Sequence, residues 1–242
     1  MDNWIQESPS RPYFHWVWMP TVDSAPQRQE WINTFTNFDA VFSYSEFGGK
    51  VLQEQGKERL NFKGCASPGI DPAVYKPLPK RELRQEMGLD PDCFIVGTVM
   101  RNQKRKLFFE LMKSFRLFLD RAPTEIASKT FLYLHTSYPE KMGWDIPDGI
   151  LQNKLGGKVL MTYVCKTCKK FFPSVFNDAL HKCKFCHNIS SVCPTVSHGV
   201  SIAELAQIYN LLDLYVQYAI CEGFGMPAVE AAACGVPVAA VD

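Results

Sequence analysis

The strongest constraint on this chain is an alternation between short, wholly apolar runs and segments of helical period. "CFIVGTVM", "TFLYLHT", "DLYVQYA" and "VPVAAV" each read as buried strands. Between them lie "LFFELMKSFRLFLDRAP", a long amphipathic helix stopped by Pro123, and the shorter helices "SIAELAQIYNLL" and "PAVEAAACG". Strands without a polar face must be covered on both sides, so the pattern predicts an α/β fold with a parallel sheet between helices. Upstream, "FDAVFSYSEFGGKVLQEQG" reads as a strand from Ala40 to Tyr44, a turn from Glu46 to Gly49, then a helix. "SPGIDPAVYKPLPK" carries four prolines and reads as a linker, and "RELRQEMGLD" as a short helix closed by Gly88. The expected division is a partial N-terminal domain with its linker over 1–75 and a second domain over 76–242. Few strands precede residue 40, and the chain closes on Val241-Asp242 straight after a strand with no covering helix. The sequence therefore reads as part of a longer protein.

Composition narrows the function. At 242 residues with 46% hydrophobic content, the chain can bury a sizeable core. Lys and Arg number 26 against 25 Asp and Glu, a net charge of +1, which gives no bulk attraction to nucleic acid or anionic membrane. "YFHWVWMP" is too short to span a bilayer, and "MDNWIQESPSRP" lacks the basic start and apolar core of a signal peptide. A cytoplasmic location is expected. His15, a lone histidine among aromatics, reads as structural.

One loop concentrates chemistry. "ICEGFGM" joins the strand expected from Tyr215 to Ala219 to a helix whose first position suits Pro227. It thus lies at the carboxyl end of a parallel strand, where open α/β sheets bind ligands. Gly223 and Gly225 let backbone N–H groups approach a phosphate, and the helix end adds partial positive charge. Glu230, expected in the first helical turn, can accept hydrogen bonds from ribose hydroxyls, and Glu222 from those of a sugar. An isolated Glu-x7-Glu is more commonly a solvated loop acid beside a helix-start acid.

The surrounding residues tip that balance. "EGFGMPAVEAAACGVPVAAVD" closely resembles the donor-site signature of retaining glycosyltransferases of family 4, EGFG-x-P-x-x-EA-x-A-x-G-x-P-V. The likeness extends over about 38–242, interrupted by a cysteine-rich insert, and takes in "YSEFG", "PGIDPAVYKP", "LYLHTSYPEKMGWDI" and "ELAQIYNLLDLYVQ". In "VGTVMRNQKRK", Arg101 and Lys106 match the family's R-x4-K pair, which grips the diphosphate; taken alone, such a run is an ordinary charged surface.

The resemblance implies a GT-B fold, two Rossmann-like domains with parallel sheets, the first incomplete here. It implies diphosphate contacts from Arg101, Lys106 and the backbone of Gly223, Phe224 and Gly225, with Glu222 on the donor sugar and Glu230 on the ribose. It further implies a UDP- or GDP-sugar donor, no catalytic metal, and transfer with retention to a hydroxyl of a glycan, lipid or protein acceptor. Peripheral membrane contact is compatible with it, and no nucleic acid partner is expected. The runner-up is a nucleotide-sugar-binding or zinc-ribbon interaction module without transferase activity. Two departures stand out. Ala219 occupies a position where many relatives carry Ser, and the family's first glycine loop and acceptor-side His are not visible.

The insert, over 161–195, carries Cys165-x2-Cys168, then 14 residues, then Cys183-x2-Cys186. Two C-x-x-C units at this spacing predict a four-cysteine structural Zn2+ site, with Lys166, Lys169, Lys170, Lys182 and Lys184 offsetting the thiolate charge. A closed four-sulfur site has no open position for catalysis. His181 or His187 replacing a cysteine, a redox pair, and unliganded thiols are lesser alternatives. The insert is expected as a surface appendage; Lys169, Lys170, Phe171 and Phe172 also compose a surface able to stack on single-stranded nucleic acid or meet a protein partner.

Overall fold

The structure, a computed structural model, describes residues 3–177 and 180–240, so Val241 of the last expected strand lies outside the described residues. The chain forms two compact units: Met1–Gly69 with Cys221–Gly225, and Ile70–Ile220 with Met226–Asp242.

In the first unit, α1 (Asn3–Gln6), β1 (Val17–Trp18), α2 (Gln29–Phe35), β2 (Ala40–Ser43), α3 (Glu46–Gly56) and β3 (Phe62–Cys65) follow in order. The strands form a parallel sheet in the order β1-β2-β3. Val22, Ile32, Phe38, Val41, Leu52 and Leu60 build its core. The turn expected over 46–49 is instead the start of α3. Ser45 caps the helix, its Oγ accepting from the Gly48 N–H at 3.1 Å. The glycines serve packing there: a Cβ on Gly49 would meet Cys65 Sγ at 2.7 Å.

The second unit holds α4 (Lys80–Glu86), β4 (Phe94–Val99), α5 (Phe108–Arg121), α6 (Thr124–Lys129), β5 (Thr130–His135), α7 (Ile146–Gln152) and β6 (Val159–Cys165). The cysteine segment follows, with β7 (Phe171–Val175), β8 (Leu180–Lys182) and β9 (Ile189–Val192). Then come α8 (Ile202–Asn210), β10 (Leu214–Gln217), α9 (Met226–Ala233) and β11 (Val238–Ala240). The parallel strands run β11-β10-β4-β5-β6, so the order of connection reverses between β4 and β10.

Alternate residues of these strands feed opposite faces, as the pleat requires. Tyr133, Leu160 and Val164 join one core with Leu83, Tyr209 and Leu212. Leu132, Leu134, Met161 and Tyr163 join the other with residues of α5. Helix α5 buries Phe108, Leu111, Met112, Phe115 and Leu119, a stripe at i, i+3, i+4, i+7 and i+11. Burial of each such side chain contributes roughly 1.5–3 kcal/mol.

Helix α4 is stitched to this sheet by Arg84, which is 3% exposed. Its guanidinium donates to the Leu211 and Cys93 carbonyls and pairs with Asp213. Asp213 also accepts from Ile95 N–H at 2.8 Å and from Lys80 at 3.0 Å.

The insert differs from the expected appendage. β7 pairs antiparallel with β6 from Leu160–Val175 to Val164–Phe171, and β9 pairs with Val164 and Cys165 of β6. Leu160 pairs with both Tyr133 and Val175, and Val164 with both Phe171 and Val192. β9 therefore continues the edge of β6 on which β5 stops, and β7 extends the sheet outward. Phe171 (4% exposed) and Phe172 (0%) lie in the cores, so the stacking surface expected of them is absent. The insert is the sheet's outer edge.

Candidate functional site

The reversal of strand order between β4 and β10 opens a crevice at their carboxyl ends, the general ligand position of doubly wound sheets. Two loops leave there: Met100–Leu107 after β4, and the segment after β10 that runs into Glu222. Their backbones are joined within the second unit. Leu107 N–H donates to Tyr218 O at 3.0 Å and Ile220 N–H to Arg105 O at 2.9 Å. Lys106 forms an isolated antiparallel bridge with Ala219. Ala219, 8% exposed, contributes backbone pairing at the position where many members of the resembled family carry serine.

The basic loop carries both expected cations. Arg101 is half-exposed and pairs with Glu140, its guanidinium donating to Oε1 at 3.2 Å. Ser137 Oγ donates to the other oxygen at 2.8 Å. These bonds, Arg101's foremost, hold the Glu140 carboxyl below its ordinary range. Lys106 is 5% exposed, so its ammonium depends on polar or anionic company. Asn102, fully buried, clamps the loop: Oδ1 accepts from Trp144 N–H at 2.7 Å and Nδ2 donates to Trp144 O at 2.9 Å. Trp144 Nε1 in turn donates to Lys106 O at 2.6 Å, and Lys104 lies 4.3 Å from its ring centroid.

Glu230 is the fifth residue of α9, one position further from the helix start than expected and just past the first turn, because the helix begins at Met226. Tyr209 OH donates to Glu230 Oε2 at 2.6 Å. Burial, with the Glu230 charge beside it, raises the Tyr209 phenol strongly and pushes Tyr75 up to about 12. Glu230 therefore sits against two neutral phenols. At the end of β5, Thr162 Oγ1 is 2.8 Å from both Tyr133 OH and His135 Nδ1, and burial pushes His135 down to about 4.

Glu222, Gly223, Phe224 and Gly225 lie on the segment that groups with the first unit. Gly225 adopts φ +86°, and a Cβ on Gly223 would meet Thr21 Cγ2 at 2.3 Å. Both positions are restricted to glycine, one by conformation and one by packing. Arg101 and Lys106 share one loop, and Glu230 stands on α9. Asn102, Glu140, Trp144 and Tyr209 escaped the sequence reading because their partners are distant in the chain.

The four cysteines are brought together, with their Sγ atoms all within 4.8 Å of one another. Cys165–Cys186 and Cys168–Cys183 approach to 3.6 Å. Among the described residues no other group of three or more His, Cys, Asp or Glu side chains is so placed. Nor is any helix among them long and apolar enough to cross a membrane.

Comparison with known proteins finds similarity in sequence and in fold. Residues 195–242 match the family model "Glycosyl transferases group 1". D-inositol 3-phosphate glycosyltransferase of Actinosynnema mirum is 26% identical over 72% of this chain and 34% of its own length. Among solved structures, sucrose-phosphate synthase from Thermosynechococcus elongatus superposes with a TM-score of 0.65 and 19% identity, over 94% of this chain and 50% of that one. Anabaena Alr3699/HepE, solved in complex with UDP and glucose, gives 0.61 and 18%, over 93% of this chain and 52% of that one. The chain thus spans about a third of the curated relative's length and about half of each solved one. The chain is thus similar to group 1 glycosyltransferases over residues 195–242, and it shares its α/β fold with these solved structures.

Proposed function

We propose that this protein binds a nucleotide sugar at the carboxyl ends of β4 and β10 and transfers the sugar, with retention, to an acceptor hydroxyl. The observation that carries the reading is the joining of the basic loop to the exit of β10 at the topological switch point. Both strands of that switch point belong to the second unit, and the loops that leave them carry the cations and lead into the Gly-rich, acid-bearing segment.

In this reading Arg101 and Lys106 neutralise charge growing on the departing nucleoside diphosphate. The Arg101 side chain of the Arg101–Glu140 pair is half-exposed and solvent weakens the pair, so a diphosphate with greater charge displaces Glu140 readily. Backbone N–H groups of Gly223, Phe224 and Gly225 add hydrogen bonds to phosphate, Glu222 orients the donor sugar, and Glu230 holds the ribose. The bond from the anomeric carbon to the phosphate oxygen breaks as the acceptor oxygen bonds on the same face. The acceptor proton passes to the leaving phosphate. The family resemblance implies no catalytic metal, and the four-cysteine cluster supports a closed structural Zn2+ centre outside the transfer step. HepE's complexes hold UDP and UDP-glucose, which makes UDP-glucose the first donor to try and GDP-sugars the second.

The test is an NMR assay of donor turnover with sugar and lipid acceptors. A product of unchanged anomeric configuration is the expected result. An inverted product overturns the mechanism, and nucleotide binding without turnover favours the binding-module reading.

A further inference from the structure

The cysteine cluster repeats one piece of backbone geometry twice. In the first knuckle Lys169 N–H donates to Cys165 O at 3.0 Å, Cys165 N–H donates to Lys170 O at 3.0 Å, and Lys169 takes φ +64°. In the second, His187 N–H donates to Cys183 O at 3.1 Å, Cys183 N–H donates to Asn188 O at 2.8 Å, and His187 takes φ +61°. Both therefore close i+4 to i and i to i+5 around a left-handed, non-glycine residue, a conformation that costs energy unless the surroundings hold it. Cys168 N–H also points to Cys165 Sγ at 3.5 Å and Phe185 N–H to Cys183 Sγ at 3.4 Å, the polarisation expected around metal-bound thiolates. A tetrahedral ion with metal–sulfur bonds of about 2.3 Å separates its sulfurs by roughly 3.8 Å, close to the two 3.6 Å approaches found here. Disulfides require about 2.05 Å. Four soft, closed ligands select Zn2+ over oxygen-loving cations.

The second knuckle also reaches out of the cluster. Lys184, between the ligands Cys183 and Cys186, sends Nζ to Met87 O at 3.1 Å and to Pro173 O of β7 at 2.9 Å. Met87 is the C-cap of α4. That helix ends with Gly88 N–H to Gln85 O at 2.9 Å and Leu89 N–H to Arg84 O at 2.8 Å, with Gly88 at φ +68°, the pattern of a Schellman cap. The cap leaves the Met87 carbonyl open, and Lys184 donates to it. A cation there also suits the negative end of the helix. A Cβ on Gly88 would lie 3.3 Å from Lys184 Nζ, so the contact is close-fitting.

We propose that Cys165, Cys168, Cys183 and Cys186 hold one Zn2+ which, through Lys184, fixes the C-terminal end of α4 and the outer edge of the parallel sheet. Metal loading then governs the stability of the whole second unit. A ribbon folding by itself would lack this property. The proposal stands apart from the transfer reading, because nothing in it requires a nucleotide.

Metal analysis and hydrogen exchange on reduced protein test it, with wild type, C183S and K184M compared. Wild type should carry one zinc per chain. Removing zinc with a chelator should speed exchange in β6 and β7 and at Gly88 and Leu89 by at least about tenfold. Should C183S fail to fold, K184M still decides the point: it should keep its zinc yet show the faster exchange at Gly88 and Leu89. Protein refolded with zinc that binds none, or that prefers iron, overturns the metal assignment. Exchange changes confined to 165–192 on chelation, or a K184M cap as protected as wild type, overturn the coupling to α4.

Discussion

The basic loop Met100–Leu107 and the cysteine segment 165–193 both carry chemistry on one sheet, and they are held by opposite means. The loop is fixed by neutral hydrogen bonds from its own protein, chiefly the paired bonds of Asn102 to Trp144 and the backbone bonds to Tyr218 and Ile220. Its cations are presented by a frame that already has its partners. The cysteine segment gathers four thiols within 4.8 Å, an arrangement whose thiolates repel one another until a cation joins them. In the proposed reading one region receives an anion, and the other is completed by a cation. The frame of the first should survive chelation, whereas that of the second should not.

The sharpest attack on that contrast is C183S. We expect loss of zinc and of several kcal/mol from the second unit, since structural zinc sites commonly fold with their metal. Thermal denaturation of variant and wild type measures it, and an unchanged midpoint breaks the contrast. Protonation offers a metal-independent perturbation on the neighbouring strand. His135 is neutral in the fold, with its value lowered from 6.5 to about 4 by burial. Its contribution is therefore complete above pH 6.5 and lost as pH falls towards 4, by at most about 3 kcal/mol and less where water reaches the ring. H135N should flatten that stretch of the stability-against-pH curve; an identical curve removes His135 from the account. N102A strikes the loop's frame and should cost about 1–3 kcal/mol, with faster exchange at Trp144 and zinc content unchanged. The smallest expected effect is that of Y209F, which deletes one hydroxyl bonded to Glu230. It should weaken UDP by about 3–10-fold and leave 2′,3′-dideoxy-UDP unaffected. Equal weakening of both ligands would mean that Tyr209 only packs.

Much of the second unit was legible because its strands are wholly apolar and its helices carry regular stripes. The four cysteines were legible because their spacing is local. Other features were hidden by distance or by a competing local rule. The glycines at 48 and 49 read as a turn, but the Ser45 cap and the close approach of Cys65 make them part of a helix. Pro227 drew the start of α9 one residue late, which moved Glu230 one position along the helix and just past its first turn. Phe171 and Phe172 sit in a lysine-rich stretch and look exposed until β7 is seen pairing with β6. The Asn102–Trp144 clamp spans 42 residues and the Arg101–Glu140 pair 39, beyond any periodicity. Ser201 with Glu204 was a readable signal: S-x-x-E forms a full capping box at the start of α8.

The most direct measurement is a calorimetric titration of UDP and GDP into wild type and the double variant R101A/K106A. The account predicts that wild type binds one of these nucleotides and that the double variant loses at least about tenfold in affinity, as removal of charge-assisted bonds requires. No binding of either nucleotide by wild type, or equal affinity in the two proteins, would contradict it.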